Sequence, residues 1–180
     1  MIAVVSVGML LLAGLWAYQA GHLDFLGLHW RPFTDAGSGY RVYFPGEVTK
    51  DNYGRVERFP GFKQDVPRSK VEYRGCEYSS SCVDLKGMLN GRILDRELLY
   101  DVLTKKGSDG EPFSEILSKR EFVWNDHEAV DLELQFPLSK SQARVILVDS
   151  KLYIMEVAYQ DGMEPDVERF FESFELLDPS

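Results

Sequence analysis

The feature that most constrains the fold is a series of alternating apolar runs in the C-terminal half. Ile116–Trp124 turns through Asn125-Asp126 into Ala129–Phe136, and Ala143–Val148 turns through Asp149-Ser150 into Leu152–Tyr159. Residues two apart on a strand share a face, so Tyr153, Met155, Val157 and Tyr159 line one side of the last run. Short polar pairs of this kind suit the tight turns between adjacent antiparallel strands. Such alternation, with few helical patterns, argues for an antiparallel sheet and against a doubly wound parallel fold.

The remaining elements are read onto that sheet. Tyr40, Val42 and Phe44 alternate along a strand that Pro45-Gly46 stops. Residues 47–69 are polar, carry Gly54, Pro60, Gly61 and Pro67, and read as an irregular connection with an edge strand around Arg55–Phe59. Lys70–Arg74 and Cys82–Leu89 read as strands flanking a loop. Arg92–Lys106 has Leu94, Leu98, Leu99, Val102 and Leu103 on one helical face, with Gly107 as its stop. A last helix begins at Pro165 and runs to Phe174, burying Val167, Phe170, Phe171 and Phe174. The expected fold is therefore α+β, an antiparallel sheet sandwiched with helices over residues 38–180.

Residues 2–19, IAVVSVGMLLLAGLWAYQ, contain no charge. As a helix they would extend roughly 27 Å, close to the hydrocarbon thickness of a bilayer, with Trp16 and Tyr18 at headgroup level. A cleaved signal peptide would want basic residues ahead of the run and a small-x-small cleavage site, and neither is present. A single transmembrane helix, an uncleaved signal anchor over residues 1–21, is expected instead, followed by a juxtamembrane segment and linker over 22–37. Charge asymmetry says little about orientation, since the first basic residue is Arg31. The chain stays largely apolar beyond the span, with Leu23, Phe25 and Trp30 around Asp24. Lipid accepts such a carboxylate poorly, so this segment is expected to dock on an integral membrane protein complex.

The two cysteines lie in CEYSSSC, Cys76 to Cys82. Their spacing makes neither a C-x-x-C motif nor half of a completed zinc site. A hairpin centred on Ser79 would set them opposite one another, near bridging distance. The expected disulfide belongs to an oxidising compartment and places the domain on the periplasmic or other extracytoplasmic side. Two reduced thiols on a strand surface are the alternative.

The opening YRVYFPG, the mid-chain helix, the late pair LVDSKLYIMEVAY and the ending RFFESFEL together resemble the PsbP-like α/β sandwich proteins, in particular uncharacterised bacterial exported members. The resemblance covers roughly residues 38–178. Relatives of that kind include the extrinsic photosystem II subunit and a nuclear-transport cofactor that binds a small GTPase. It implies a protein-binding or assembly module rather than an enzyme, and it transfers no site residue.

Chemistry read from the residues points the same way. His22 and His29 flank the juxtamembrane stretch, and His127 sits beside Asp126 and Glu128 in a turn, where successive residues do not converge on one ion. Asp131 and Glu133 share a strand face without an apolar pocket to assign them acid and base roles. Ser79, Ser80 and Ser81 read as turn residues, and neither a G-x-S-x-G elbow nor a G-x-G-x-x-G or Walker loop occurs. No catalytic residue, metal ligand or cofactor is expected. The net charge of −9 disfavours nucleic acid as a partner. The expected function is a non-enzymatic, membrane-anchored accessory or assembly subunit of a membrane protein complex. A small-ligand or ion-binding module is the alternative, and an enzyme the least favoured class.

Overall fold

The computed structural model describes residues 29–59, 62–85 and 115–177. These residues form ten strands and one short helix. Strands β1 (Arg31–Asp35), β2 (Tyr40–Phe44) and β10 (Glu175–Leu176) make a three-stranded antiparallel sheet in the order β1-β2-β10. The second sheet has seven strands in the order β3-β4-β5-β9-β8-β7-β6. Its members are β3 (Thr49–Phe59), β4 (Phe62–Tyr73), β5 (Cys76–Asp84), β6 (Glu115–Trp124), β7 (His127–Gln135), β8 (Lys140–Val148) and β9 (Lys151–Tyr159). Helix α1 covers Val167–Glu172.

Tight turns fix the hairpin registers. Arg74 and Gly75 lie at φ 52° and 75°, and Asn125 and Asp126 at 45° and 66°. Two-residue turns with both φ values positive match the right-handed twist of the strands they join. Asp149, at φ 53°, opens the turn between β8 and β9.

The central strands of the large sheet are buried on both faces. One face carries Cys76, Tyr78, Ile146, Tyr153, Met155 and Val157, and against it pack Tyr40, Val42 and Phe44 of β2 with Phe170, Phe171 and Phe174. Tyr159 joins the edge of the same cluster, so the side shared by Tyr153, Met155, Val157 and Tyr159 is as the alternation requires. The opposite face gathers Val66, Val83, Leu132, Leu134, Val145, Leu152 and Ile154. Nearly every residue from Leu152 to Val157 is therefore buried. A strand at the centre of a two-sided sheet has no solvent face to leave polar.

Four expectations need correction. The fold is predominantly β rather than α+β: among the described residues α1 is the one helix, and it spans six residues instead of Pro165–Phe174. Asp166 caps it, its carboxylate accepting from the Arg169 amide at 3.4 Å. The helix expected over Arg92–Lys106 lies outside the described residues.

The second correction concerns CEYSSSC, which is not a loop but strand β5 itself. The turn sits one step earlier, at Arg74-Gly75, where only a turn residue tolerates the backbone. Cys76 pairs with Tyr73 of β4 while Cys82 pairs with Tyr153 of β9. Six residues of extended strand separate the thiols by roughly 20 Å, far beyond bridging reach. Both cysteines are free, so the disulfide is withdrawn.

Third, Arg31–Asp35 is a strand rather than linker, paired with β2 from Arg31↔Phe44 to Asp35↔Tyr40. The Gly-Ser stretch that follows is its hairpin turn, with the Gly39 amide donating to the Asp35 carbonyl at 2.8 Å. Fourth, among the described residues no helix is long and apolar enough to cross a membrane. The single-pass localisation, and the extracytoplasmic side drawn from it and from the disulfide, are accordingly set aside. Residues 2–19 themselves lie outside the described residues.

Phe170 and Phe174 are 0% and 3% exposed. Truncating either to Ala should cost about 3–5 kcal/mol in denaturant unfolding, and a loss under about 1 kcal/mol at both would contradict this packing. The thiols give a separate check. Denaturing alkylation of protein never exposed to reductant should label both cysteines in the intact mass, and a species lacking both labels would restore the bridge.

Candidate functional site

The first face of the large sheet is not covered evenly. Where the Arg74-Gly75 turn approaches residues 162–166, a groove of about 510 Å³ remains, lined by Trp30, Tyr73, Arg74, Cys76, Tyr78, Met163, Glu164, Asp166 and Arg169 among others. Three aromatic rings shape it. Trp30 meets Tyr78 edge to face at 5.8 Å between centroids. The Arg169 guanidinium lies 4.7 Å from the centre of the Trp30 ring, and that of Arg74 lies 5.3 Å from the centre of Tyr73. A cation over an aromatic face is attracted by the negative charge of the ring's centre, which holds these long side chains in place.

The local backbone sets how closely the two sides of the groove approach. Gly75 is left-handed at φ 75°, and a Cβ there would come within 3.2 Å of the Met163 methyl. The Asp166 amide donates to the Tyr78 hydroxyl at 3.1 Å, tying the approach of α1 to the middle strand β5. Burial pushes the Tyr78 hydroxyl up to about 12 and raises the Cys76 thiol as well. Near neutral pH both groups are therefore protonated, and neither is a ready nucleophile or base.

Two charged clusters lie elsewhere. On the opposite face Arg68 donates to both Asp51 oxygens, each at 2.9 Å, and to Glu77 at 2.8 Å. Lys70 reaches the same two carboxylates at 3.1 and 3.2 Å. Two cations and two anions alternate, so the group ties β3, β4 and β5 together across the sheet. On the first face Asp131 accepts from Arg144 at 2.7 and 3.0 Å and from Arg120. Arg144 lies 5.0 Å from the ring centres of both Phe122 and Phe171. Burial alone would push the Asp131 carboxyl up, but the two arginines outweigh it and hold the group below the usual range. Asp131 is thus an ion-pair partner, not a titrating acid.

Of the residues singled out from sequence, Trp30 is placed in the groove, half-buried against its own domain. Trp16, Tyr18, Leu23, Asp24 and Phe25 lie outside the described residues. Cys76 lies on the groove wall, whereas Cys82 is near the Ser38 end, its thiol pushed up to about 11 by burial. Glu133 and His127 lie on β7, and among the described residues no three His, Cys, Asp or Glu side chains converge as a metal site. Sequence reasoning missed Tyr73, Arg74, Tyr78 and Arg169. Arg74-Gly75 was the available signal, a turn pair overshadowed by the serines that follow.

The Asp51 cluster carries a pH signature. The Arg68 hydrogen bonds lower the Asp51 carboxyl from its ordinary 3.8 to about 2. A depressed folded-state value means that its stabilisation is complete above the unfolded value and is lost as pH falls through about 2. The stability gap between the native chain and Asp51→Asn should hence be widest above about pH 4 and shrink towards pH 2. A gap constant over that range in acid titrations of unfolding would refute the assignment.

No family model matches the chain, and no curated protein matches its sequence. Solved structures do. The solution structure of cyanobacterial PsbP (CyanoP) from Synechocystis sp. PCC 6803 aligns over 82% of this chain and 92% of that one, with a TM-score of 0.57 at 14% identity. A Pseudomonas aeruginosa protein of unknown function covers 80% of this chain and 92% of its own at 9% identity, with a TM-score of 0.42, too low to argue from. The likeness to the cyanobacterial protein is one of backbone rather than of sequence, and it shows that this chain has the PsbP-like fold that its YRVYFPG opening and RFFESFEL ending resemble.

Proposed function

We propose that the chain is a non-catalytic binding module serving as an accessory or assembly subunit of a larger protein complex. The observation that carries this reading is the groove: an open, aromatic-walled site in which Cys76 and Tyr78 are held neutral by burial and Arg169 lies over the Trp30 ring. Such a surface offers contact area and orientation, and its thiol and buried phenol are not poised for covalent attack. The PsbP-like fold supports it at the level of fold alone, consistent with the binding role that the sequence resemblance implies. A small-ligand module is the second reading, favoured by a volume of about 510 Å³, within the range of small-molecule sites.

Native electrophoresis after gentle extraction from the source cells separates the readings. An accessory subunit should migrate in an assembly well above its own 20.6 kDa. A monomer at every protein concentration would overturn the subunit reading, and a small molecule co-purifying with that monomer would establish the second.

A further inference from the structure

Among the described residues, four arginines are at least partly buried: Arg41, Arg68, Arg144 and Arg169. The first three each face a carboxylate: Glu175 for Arg41, Asp51 and Glu77 for Arg68, Asp131 for Arg144. Arg169 faces none; its guanidinium lies over Trp30 at the groove. A guanidinium held over a ring still presents N–H donors at its edge, in the planar fork that matches a carboxylate. In a chain of net charge −9, an arginine left without an acidic partner beside a groove is set apart from its surroundings.

We propose that this groove takes a carboxylate-bearing segment of a partner protein, an acidic side chain flanked by aromatic residues, with Arg169 as the ligand of the carboxylate. Tyr73, Tyr78 and Met163 supply the walls for the flanking side chains. A phosphate group or nucleic acid fits less well. Glu164 and Asp166 stand on the rim, and they would repel a dianion or polyanion more strongly than one carboxylate. The proposal rests on the binding-module reading and specifies the chemistry of its partner.

The test uses the full chain, isotope-labelled for indole resonances, with Trp30 assigned through Trp30→Phe. Two probes are compared at low salt, acetyl-Phe-Asp-Phe-amide and acetyl-Phe-Asn-Phe-amide. The acidic peptide should shift the Trp30 signal saturably and bind about ten-fold tighter than the neutral one. Arg169→Gln should reduce the acidic peptide to the level of the neutral one, while Arg169→Lys keeps part of the difference because it keeps charge but not the fork. Arg169→Met, which retains the aliphatic stem, substitutes for Gln if that variant melts early. Equal binding of the two peptides, no binding of either, or undiminished binding by a folded Arg169 variant each overturns the proposal. If the peptides fail while the native protein still migrates in its assembly, the groove is removed as the contact and the subunit reading stands. A native monomer removes that reading whatever the peptides do.

Discussion

The structure depends on how one tyrosine joins its two sheets. Tyr40, 1% exposed on the short strand β2, stacks on Phe174 at 5.6 Å, meets Tyr153 edge to face at 5.8 Å, and shares a 2.9 Å hydroxyl contact with Ser80. Those partners come from the C-terminal segment, from β9 and from β5. A phenol brought this deep into an apolar layer needs a hydrogen-bond partner, and a serine supplies it in little volume. Burial drives the Tyr40 hydroxyl up to about 12, so it remains a neutral member of the pair. The small side chains of Ser69 and Ser80 beneath it, opposite one another in β4 and β5, let the three-stranded sheet approach.

That layer contact also determines where the groove can form. Phe170 reaches Phe44 and Tyr78 from α1, at 5.2 and 5.4 Å, which fixes the helix over β2 and β5. The loop before the helix must then pass above the Arg74-Gly75 turn without closing on it. Trp30 enters from the strand side and Arg169 from the helix side, and the two meet in the groove lining. The groove is thus a by-product of fitting a six-residue helix across a sheet that extends beyond it.

Much of the large sheet was legible in the sequence, and the reasons are local. Strands β6 to β9 announce themselves because alternation and turn residues coincide at Asn125-Asp126 and Asp149-Ser150. β5 was illegible for the opposite reason. Its serines read as turn formers, because serine's local preference is visible in one dimension while the Tyr40 hydroxyl that accommodates one of them is 40 residues away. β1 was hidden similarly, since Phe33 finds its partners Tyr40 and Phe44 only after the Gly-Ser turn folds back. The last helix was drawn too long because an aromatic cluster at helical spacing, Phe170, Phe171 and Phe174, continues past the end of α1 into the approach to β10. Of the candidate site, Trp30 alone had been singled out as a contact residue. A groove assembled from Trp30, the turn at Arg74 and a helix residue at 169 has no linear pattern to recognise.

The strand order has a kinetic side. β6, β7, β8 and β9 are sequential neighbours, joined by short connections that close at little entropic cost. β5 instead lies against β9, with Asp84 opposite Lys151 and Glu77 opposite Ala158, so this seam joins segments from distant parts of the chain. Loop-closure entropy is concentrated there rather than shared around the sheet. The same seam completes the face on which Tyr78 and Tyr153 lie, so neither the layer contact nor the groove exists before it closes. On loop-closure grounds the groove is therefore expected late in folding: a chain whose meander has formed, but whose β5 has not docked, would carry most of its local structure and lack the groove.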